Sequence, residues 1–259
     1  MFTLFKDNQF IRFSHVTFKT LVLTLSVISL IFPMDVNAQR KRAPGGGPAA
    51  VVVDERLAVL RDEPSLSAHL LQRLSRGRPV SIINVKRSHE GVTFYRVAVT
   101  SRTRGWLQME AVVSPARKGD DQRLLNLIRA SNDFDRIARA CIFIEVYPRS
   151  ALRPTVLLLL GIAAEEAAIK LSNEAARRLD ENEMNASGAL PFSYLMNFSG
   201  LDRYRRQGLD FTLDNAGKQF HYNGASWREI VRRYPGSTEA GEARKRLDTL
   251  AAVVTAKRE

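Results

Sequence analysis

The chain has 259 residues, of which 45% are hydrophobic and 25% charged, so one or two globular domains with a packed core can form. Its formal net charge of +12 favours polyanionic partners, namely nucleic acid, anionic lipid or an anionic cell-wall polymer. The only cysteine, Cys141, excludes an internal disulfide and a cysteine-based metal cluster, and its apolar neighbours are typical of a buried core residue.

Residues 1–38 have the pattern of a secretory signal peptide. Three basic side chains precede an uncharged stretch over 21–32, and short residues at positions 36 and 38 suit cleavage after Ala38. A membrane-spanning helix needs about 20 apolar residues, so this stretch is short for an anchor. We therefore expect an exported protein of the periplasm or cell envelope, with secretion also open, and membrane attachment only if the signal is uncleaved. Export argues against nucleic acid as a partner.

Residues 39–50 are basic at first and then rich in glycine and proline, a composition typical of a flexible linker. The basic triplet Arg40-Lys41-Arg42 either contacts an anionic surface or forms part of a solvated tail. The first folded region is expected to begin after this linker, at residue 51.

Residues 51–116 consist of short β-like segments with turn signals between them. The segments lie at 57–60, 70–74, 80–85, 94–99 and 105–107. Five short strands in so short a region favour a small closed barrel, because closure removes exposed sheet edges.

Four of these segments, in order and spacing, resemble the bacterial SH3 domain family. They are Leu57-Ala58-Val59-Leu60-Arg61-Asp62-Glu63-Pro64-Ser65, Leu74-Ser75-Arg76-Gly77-Arg78-Pro79-Val80, Phe94-Tyr95-Arg96-Val97 and Arg104-Gly105-Trp106-Leu107. The family's usual Asn-Val-Arg is here Ala58-Val59-Leu60, and its usual Gly-Pro is Glu63-Pro64. The resemblance implies a module that binds cell-wall peptides or other extended ligands and has no catalysis of its own.

Exposed aromatic residues between the loops of such barrels can form a peptide groove. The candidate ligand-binding residues are Tyr95 and Trp106, together with Arg102 and Arg104 of the hairpin loop. Core packing is the alternative role for both aromatic side chains.

Residues 120–259 are predicted to form an α-helical domain, because apolar residues recur there at steps of three and four. A break is expected near 131–133, a loop over 180–193, and a β-hairpin near 211–222 around a glycine turn. On the helix predicted at 225–233, Trp227 and Ile230 form an apolar face opposite Arg228 and Arg232.

Two helix pairs meet at similar turns, Tyr147-Pro148-Arg149-Ser150 and Tyr234-Pro235-Gly236-Ser237. These turns resemble those of the tetratricopeptide-like repeats of bacterial envelope proteins, and the resemblance implies protein–protein scaffolding. The turns are too far apart for adjacent repeats, so a stacked solenoid and a compact bundle both stay open.

Catalytic chemistry has little support in the sequence. Cys141 lies in an apolar run, and His69 and His89 lie in predicted turns without a neighbouring ligand pair, so no metal and no cofactor is expected. The adjacent carboxylates Glu165 and Glu166 leave a glycosidase reading open.

The predicted fold class is therefore α+β multidomain, a small SH3-like β-barrel followed by an α-helical, tetratricopeptide-like domain. The predicted role is non-enzymatic binding or scaffolding in the cell envelope. The barrel is expected to bind a peptide or a cell-wall polymer such as peptidoglycan, and the helical domain a protein partner. The alternatives are a helical scaffold with a purely structural barrel, and a cell-wall hydrolase with an unrecognised site.

Overall fold

The computed structural model of the chain describes residues 46–214 and 218–256, with side chains described up to residue 252. The predicted signal peptide and residues 39–45 of the predicted linker lie outside the described residues. The first strand begins at Ala49, so the last two residues of the predicted linker belong to it.

The N-terminal half of the described chain forms one antiparallel sheet of seven strands. They are β1 (Ala49–Val52), β2 (Val59–Arg61), β3 (Leu70–Arg73), β4 (Pro79–Arg87), β5 (Thr93–Ala98), β6 (Arg104–Gln108) and β7 (Val112–Val113). Their order across the sheet is β3-β2-β6-β5-β4-β1-β7. The five predicted strands correspond to β2 to β6, and β1 and β7 extend the sheet beyond them.

Strand β6 shows the alternation by which a strand of this sheet contributes to the core. Gly105 and Leu107 are buried whereas Trp106 between them is partly exposed, which is the two-residue alternation of a strand that covers a core. A side-chain carbon at Gly105 would lie 2.7 Å from the carbonyl oxygen of Arg61, so the close approach of β2 and β6 requires a glycine here.

The sheet is open, and β3 and β7 are its two edges within the described ranges. The predicted closed SH3-like barrel is therefore not confirmed, although a β region followed by helices is present as predicted. Near the β7 edge, Val53 and Val113 are buried in the core of the helical half. Helices therefore cover the apolar side chains at this edge of the sheet. The residues of β3, Leu70–Arg73, are all exposed.

The C-terminal half is mainly helical. Its elements are α1 (Asp120–Arg129), α2 (Asp133–Val146), α3 (Arg153–Arg178), α4 (Glu181–Ala186), α5 (Pro191–Met196), α6 (Asp202–Arg205), β8 (Phe211–Asp214), β9 (Gln219–Tyr222), α7 (Ala225–Arg233) and α8 (Glu239–Ala256). The predicted break and the predicted hairpin are both present. The predicted loop over 180–193 instead contains α4 and the start of α5, and α4 begins where the Asp180 side chain accepts hydrogen bonds from two backbone amides of the first turn.

Helix α3 lies at the centre of the helical half and contacts α2, α7, α8 and β9. The two Tyr-Pro turns join α2 to α3 and α7 to α8, as the sequence predicts. Helix α7 has the two faces that the sequence predicts. Trp227 and Ile230 are fully buried, and Arg228 and Arg232 are exposed.

The β and α regions belong to one compact unit. Asp120, buried at the start of α1, accepts a hydrogen bond from the backbone amide of Ser114 at 2.9 Å. Arg139 of α2 donates from Nε to the carbonyl oxygen of Val53 at 3.1 Å. The predicted domains at 51–116 and 120–259 therefore pack directly against each other through polar as well as apolar contacts.

Candidate binding surface

The register of β5 and β6 decides where the predicted ligand-binding residues lie. Arg96 of β5 pairs with Trp106, and Tyr95 pairs with Leu107. Paired residues of antiparallel strands share a face and successive residues alternate, so Trp106 and Tyr95 lie on opposite faces of the sheet. Tyr95 packs against the sheet core, together with Leu107. The structure therefore separates the two aromatic residues that the sequence placed in one groove.

Trp106 is instead at the centre of a row of paired residues that crosses four strands. Arg61 of β2 pairs with Trp106 on one side, and Arg96 pairs with it on the other. Asn84 of β4 pairs with Arg96 and continues the row. Two arginine residues therefore flank Trp106 on the sheet face opposite Leu107, and we call the row Arg61, Trp106, Arg96 and Asn84 the Trp106 row.

Further cations extend this face. Arg104 is exposed and lies two positions before Trp106 on the same strand, so alternation places it on the same face. Lys86 pairs with Phe94 and is exposed. It lies two residues after Asn84 on β4, so alternation places this cation on the same face. Arg102 is exposed in the loop before β6. The structure thus keeps three of the four predicted residues, Trp106, Arg102 and Arg104, at or beside this face.

The charges of this face are largely uncompensated. The guanidinium groups of Arg96, Arg102 and Arg104 have no hydrogen-bond acceptor and no carboxylate partner among residues 46–214 and 218–252. Arg61 is partly held, since its Nη1 donates to the carbonyl oxygen of Ala68 at 2.5 Å. Exposed, unpaired guanidinium groups beside an indole suit an anionic ligand that also offers a surface for stacking.

Arg61 and Arg96 were missed as site residues in the sequence. The only local indication that these arginines lie on an exposed strand face is that each is next to an apolar residue in an alternating strand. The pairing that brings both beside Trp106 depends on strand register, and register is a property of the folded sheet.

Other candidate residues of the helical half serve packing or ion pairs. Glu165 accepts a hydrogen bond from Nη1 of Arg246 at 2.6 Å, and Glu166 is exposed. Burial raises the pKa of the Cys141 thiol to about 12, with the nearby charge of Glu145 adding to the effect.

Within residues 46–214 and 218–256, no group of three or more His, Cys, Asp or Glu side chains is arranged to hold a metal ion. The helices in the same ranges are too short or too polar to cross a membrane.

No family model, curated protein or solved structure matches this chain. The resemblance to bacterial SH3 domains therefore rests on the residues of the four segments, and the Trp106 row stands on the geometry of this chain.

Proposed function

We propose that this is an exported, non-enzymatic binding protein whose N-terminal half is an SH3-like module for an anionic polymer of the cell wall. The observation that carries the proposal is the Trp106 row, in which Arg61 and Arg96 flank Trp106 on one face of the sheet. The signal-peptide pattern of residues 1–38 supports this proposal, because an exported protein would encounter cell-wall polymers in the envelope.

A polymer is favoured over an acidic folded protein by the shape of the row. The paired residues run across the strands in a line, so a chain with repeated anionic groups can contact several cations at once. Strands are about 4.8 Å apart, which brings the outer groups of a four-strand row roughly 14 Å from each other. Repeated weak contacts along such a line add up by multivalency.

The helical half is proposed to contact a protein partner. Support comes from the two Tyr-Pro turns, each of which joins an amphipathic helix to a second helix, as in tetratricopeptide-like scaffolds. The binding half and the scaffold half would then connect a cell-wall polymer to an envelope protein.

Co-sedimentation with purified cell-wall sacculi tests the polymer proposal. The protein beginning after Ala38 is expected to sediment with sacculi and to lose binding in the Trp106→Ala variant by about 30-fold, the effect of removing a central aromatic anchor. Loss of the Arg96 and Arg104 charges in a double Gln variant should weaken binding and reduce its salt dependence. Sacculi stripped of their anionic accessory polymers should bind less protein.

The matched control is the double variant Arg177→Gln, Arg232→Gln, since it removes two exposed positive charges from α3 and α7, outside the Trp106 row. The proposal is wrong if this control loses as much binding as the Arg96, Arg104 variant, because adhesion then follows net charge alone. Circular dichroism of each variant shows whether the fold is retained.

A further inference from the structure

A cavity of about 470 Å³ lies where the sheet meets α1 and α2. Arg56 and Arg76 line it from the β side, and Arg139 lines it from α2. Three guanidinium groups from three separate segments therefore converge on one space, which is distinct from the Trp106 row.

Arg139 is the most buried of the three, at 5% exposed. Its Nε donates to the carbonyl oxygen of Val53, and its Nη1 donates to the Ser131 hydroxyl. Its Nη2 lies 3.8 Å from Asp54 Oδ2, which is an ion-pair distance but too long for a hydrogen bond. One end of a buried guanidinium is thus left without an acceptor among the described residues.

Arg76 shows the same shortfall. Its Nη1 donates to Asp135 Oδ1 at 2.8 Å. Its Nε is buried and has no acceptor within the described part of the chain. The Nε atom is closed to solvent, so a ligand in the cavity does not reach it, and Arg76 contributes its positive charge there rather than a hydrogen bond.

Three carboxylates, those of Asp54, Glu55 and Asp135, also line the cavity, and each already accepts a hydrogen bond from the protein. Asp54 accepts from Nε and Nη2 of Arg56 at 2.9 and 2.6 Å, and Asp135 accepts from Arg76. The pKa of Arg139 is lowered, first by burial and then by the charge of Arg76, and the attraction of Asp135 and Asp54 does not offset these effects. Burial therefore disfavours the charged form of Arg139, and an anion placed against its Nη2 would favour that form.

We propose that this cavity binds a phosphate-type oxyanion between the β and α halves. A tetrahedral anion can accept from Arg139 Nη2 and from Arg56 with different oxygens, with the positive charge of Arg76 beside it. Guanidinium groups are the side chains best suited to hold such oxygens. The anion is either free inorganic phosphate or the phosphomonoester of a larger molecule.

Binding here links two parts of the fold and should stabilise the native state. An anion that binds the native state and not the unfolded chain raises the melting temperature in a saturable manner. Phosphate also stabilises proteins generally by exclusion from their surface, but that effect does not saturate at low concentration and does not depend on one arginine.

The test is thermal unfolding of the full chain in increasing inorganic phosphate, against sodium chloride at the same pH and ionic strength. The wild type is expected to show a saturable rise in melting temperature. Arg56→Gln should reduce that rise, and Arg76→Gln should reduce it further. Because the Arg56 side chain is 79% exposed, its variant is expected to fold even if Arg76→Gln does not.

Arg232→Gln, which removes one positive charge outside the cavity, should keep the full rise. An equal rise in Arg56→Gln and in the wild type, or a rise that does not saturate, would overturn the proposal.

Glycerol phosphate distinguishes the two sources of the anion. A saturable rise in melting temperature with glycerol phosphate indicates a phosphomonoester site, and a rise with inorganic phosphate alone indicates an enclosed free anion. Sacculus binding is measured separately, so failure of this site and failure of the polymer proposal can be told apart.

Discussion

Gly161 of α3 lies directly beneath the indole of Trp227, and a side-chain carbon at Gly161 would be 2.1 Å from Trp227 Nε1. The indole is fully buried and packs edge-on against Tyr222, 5.3 Å between ring centroids. This contact sets the distance between α3 and α7, because only a glycine lets the indole approach the helix backbone.

We expect Gly161→Ala to destabilise the protein by about 1–3 kcal/mol, the usual range for overpacking a core. Helix propensity alone would predict the opposite sign, since alanine is favoured over glycine in a helix by about 1 kcal/mol. Gly241→Ala in α8 is the matched control, because nothing lies within 4 Å of an added carbon there. It should stabilise slightly. Urea unfolding of both variants checks the two signs, and a neutral Gly161→Ala would contradict the close contact.

The Arg153–Glu229 ion pair is expected to hold α7 against the start of α3. Both Nε and Nη2 of the buried Arg153 donate to Glu229 Oε1, at 3.1 and 2.9 Å. Glu229→Ala should cost about 1.5–3 kcal/mol, the range for hydrogen bonds to charged groups. Arg233→Ala removes the exposed partner of the same carboxylate, 3.4 Å away, and should cost less than about 0.5 kcal/mol. Equal losses of unfolding free energy in the two variants would disprove this ranking.

Acid should lower the stability of the protein through Asp54, which lies near the junction between the two halves. The pKa of Asp54 lies below its ordinary value of 3.8, chiefly because of the Arg56 hydrogen bond, while burial opposes that effect. A carboxyl group with a lowered pKa contributes stability that is complete above its unfolded pKa and is lost as pH falls through the folded value. Stability should therefore decline below about pH 4.

The Asp54→Asn variant should show a flatter stability profile over that acid range and a lower stability at pH 7. Thermal unfolding between pH 2 and pH 7 measures both effects. A wild-type slope that persists unchanged in the variant would assign the acid sensitivity to other carboxyl groups, with Asp135 the next candidate because Arg76 also lowers its pKa.

Cys141 should be chemically inert in the folded protein. Its thiol pKa of about 12 leaves very little thiolate at pH 8, so alkylation should be on the order of a thousandfold slower than for an unperturbed cysteine of pKa about 8.5. Reaction with a thiol reagent in buffer and in denaturing urea measures the ratio. Rapid reaction in buffer would show that the thiol is more accessible than its burial implies.

Local sequence was enough to predict most elements. Alternation over 94–99 predicts β5, apolar steps of three and four predict α2 and α3, and the stop at Tyr234-Pro235 predicts the end of α7. These features depend on side-chain periodicity and on backbone restrictions of proline, which act within a few residues.

Only the tertiary structure decided that the sheet is open, that Trp106 stands between Arg61 and Arg96, and that Arg56, Arg76 and Arg139 share one cavity. Strand register and helix docking bring together residues that are 10 to more than 80 positions apart. The sequence by itself determined the elements and their apolar faces. Which faces meet depends on the packing of the whole core, and no short segment carries that information.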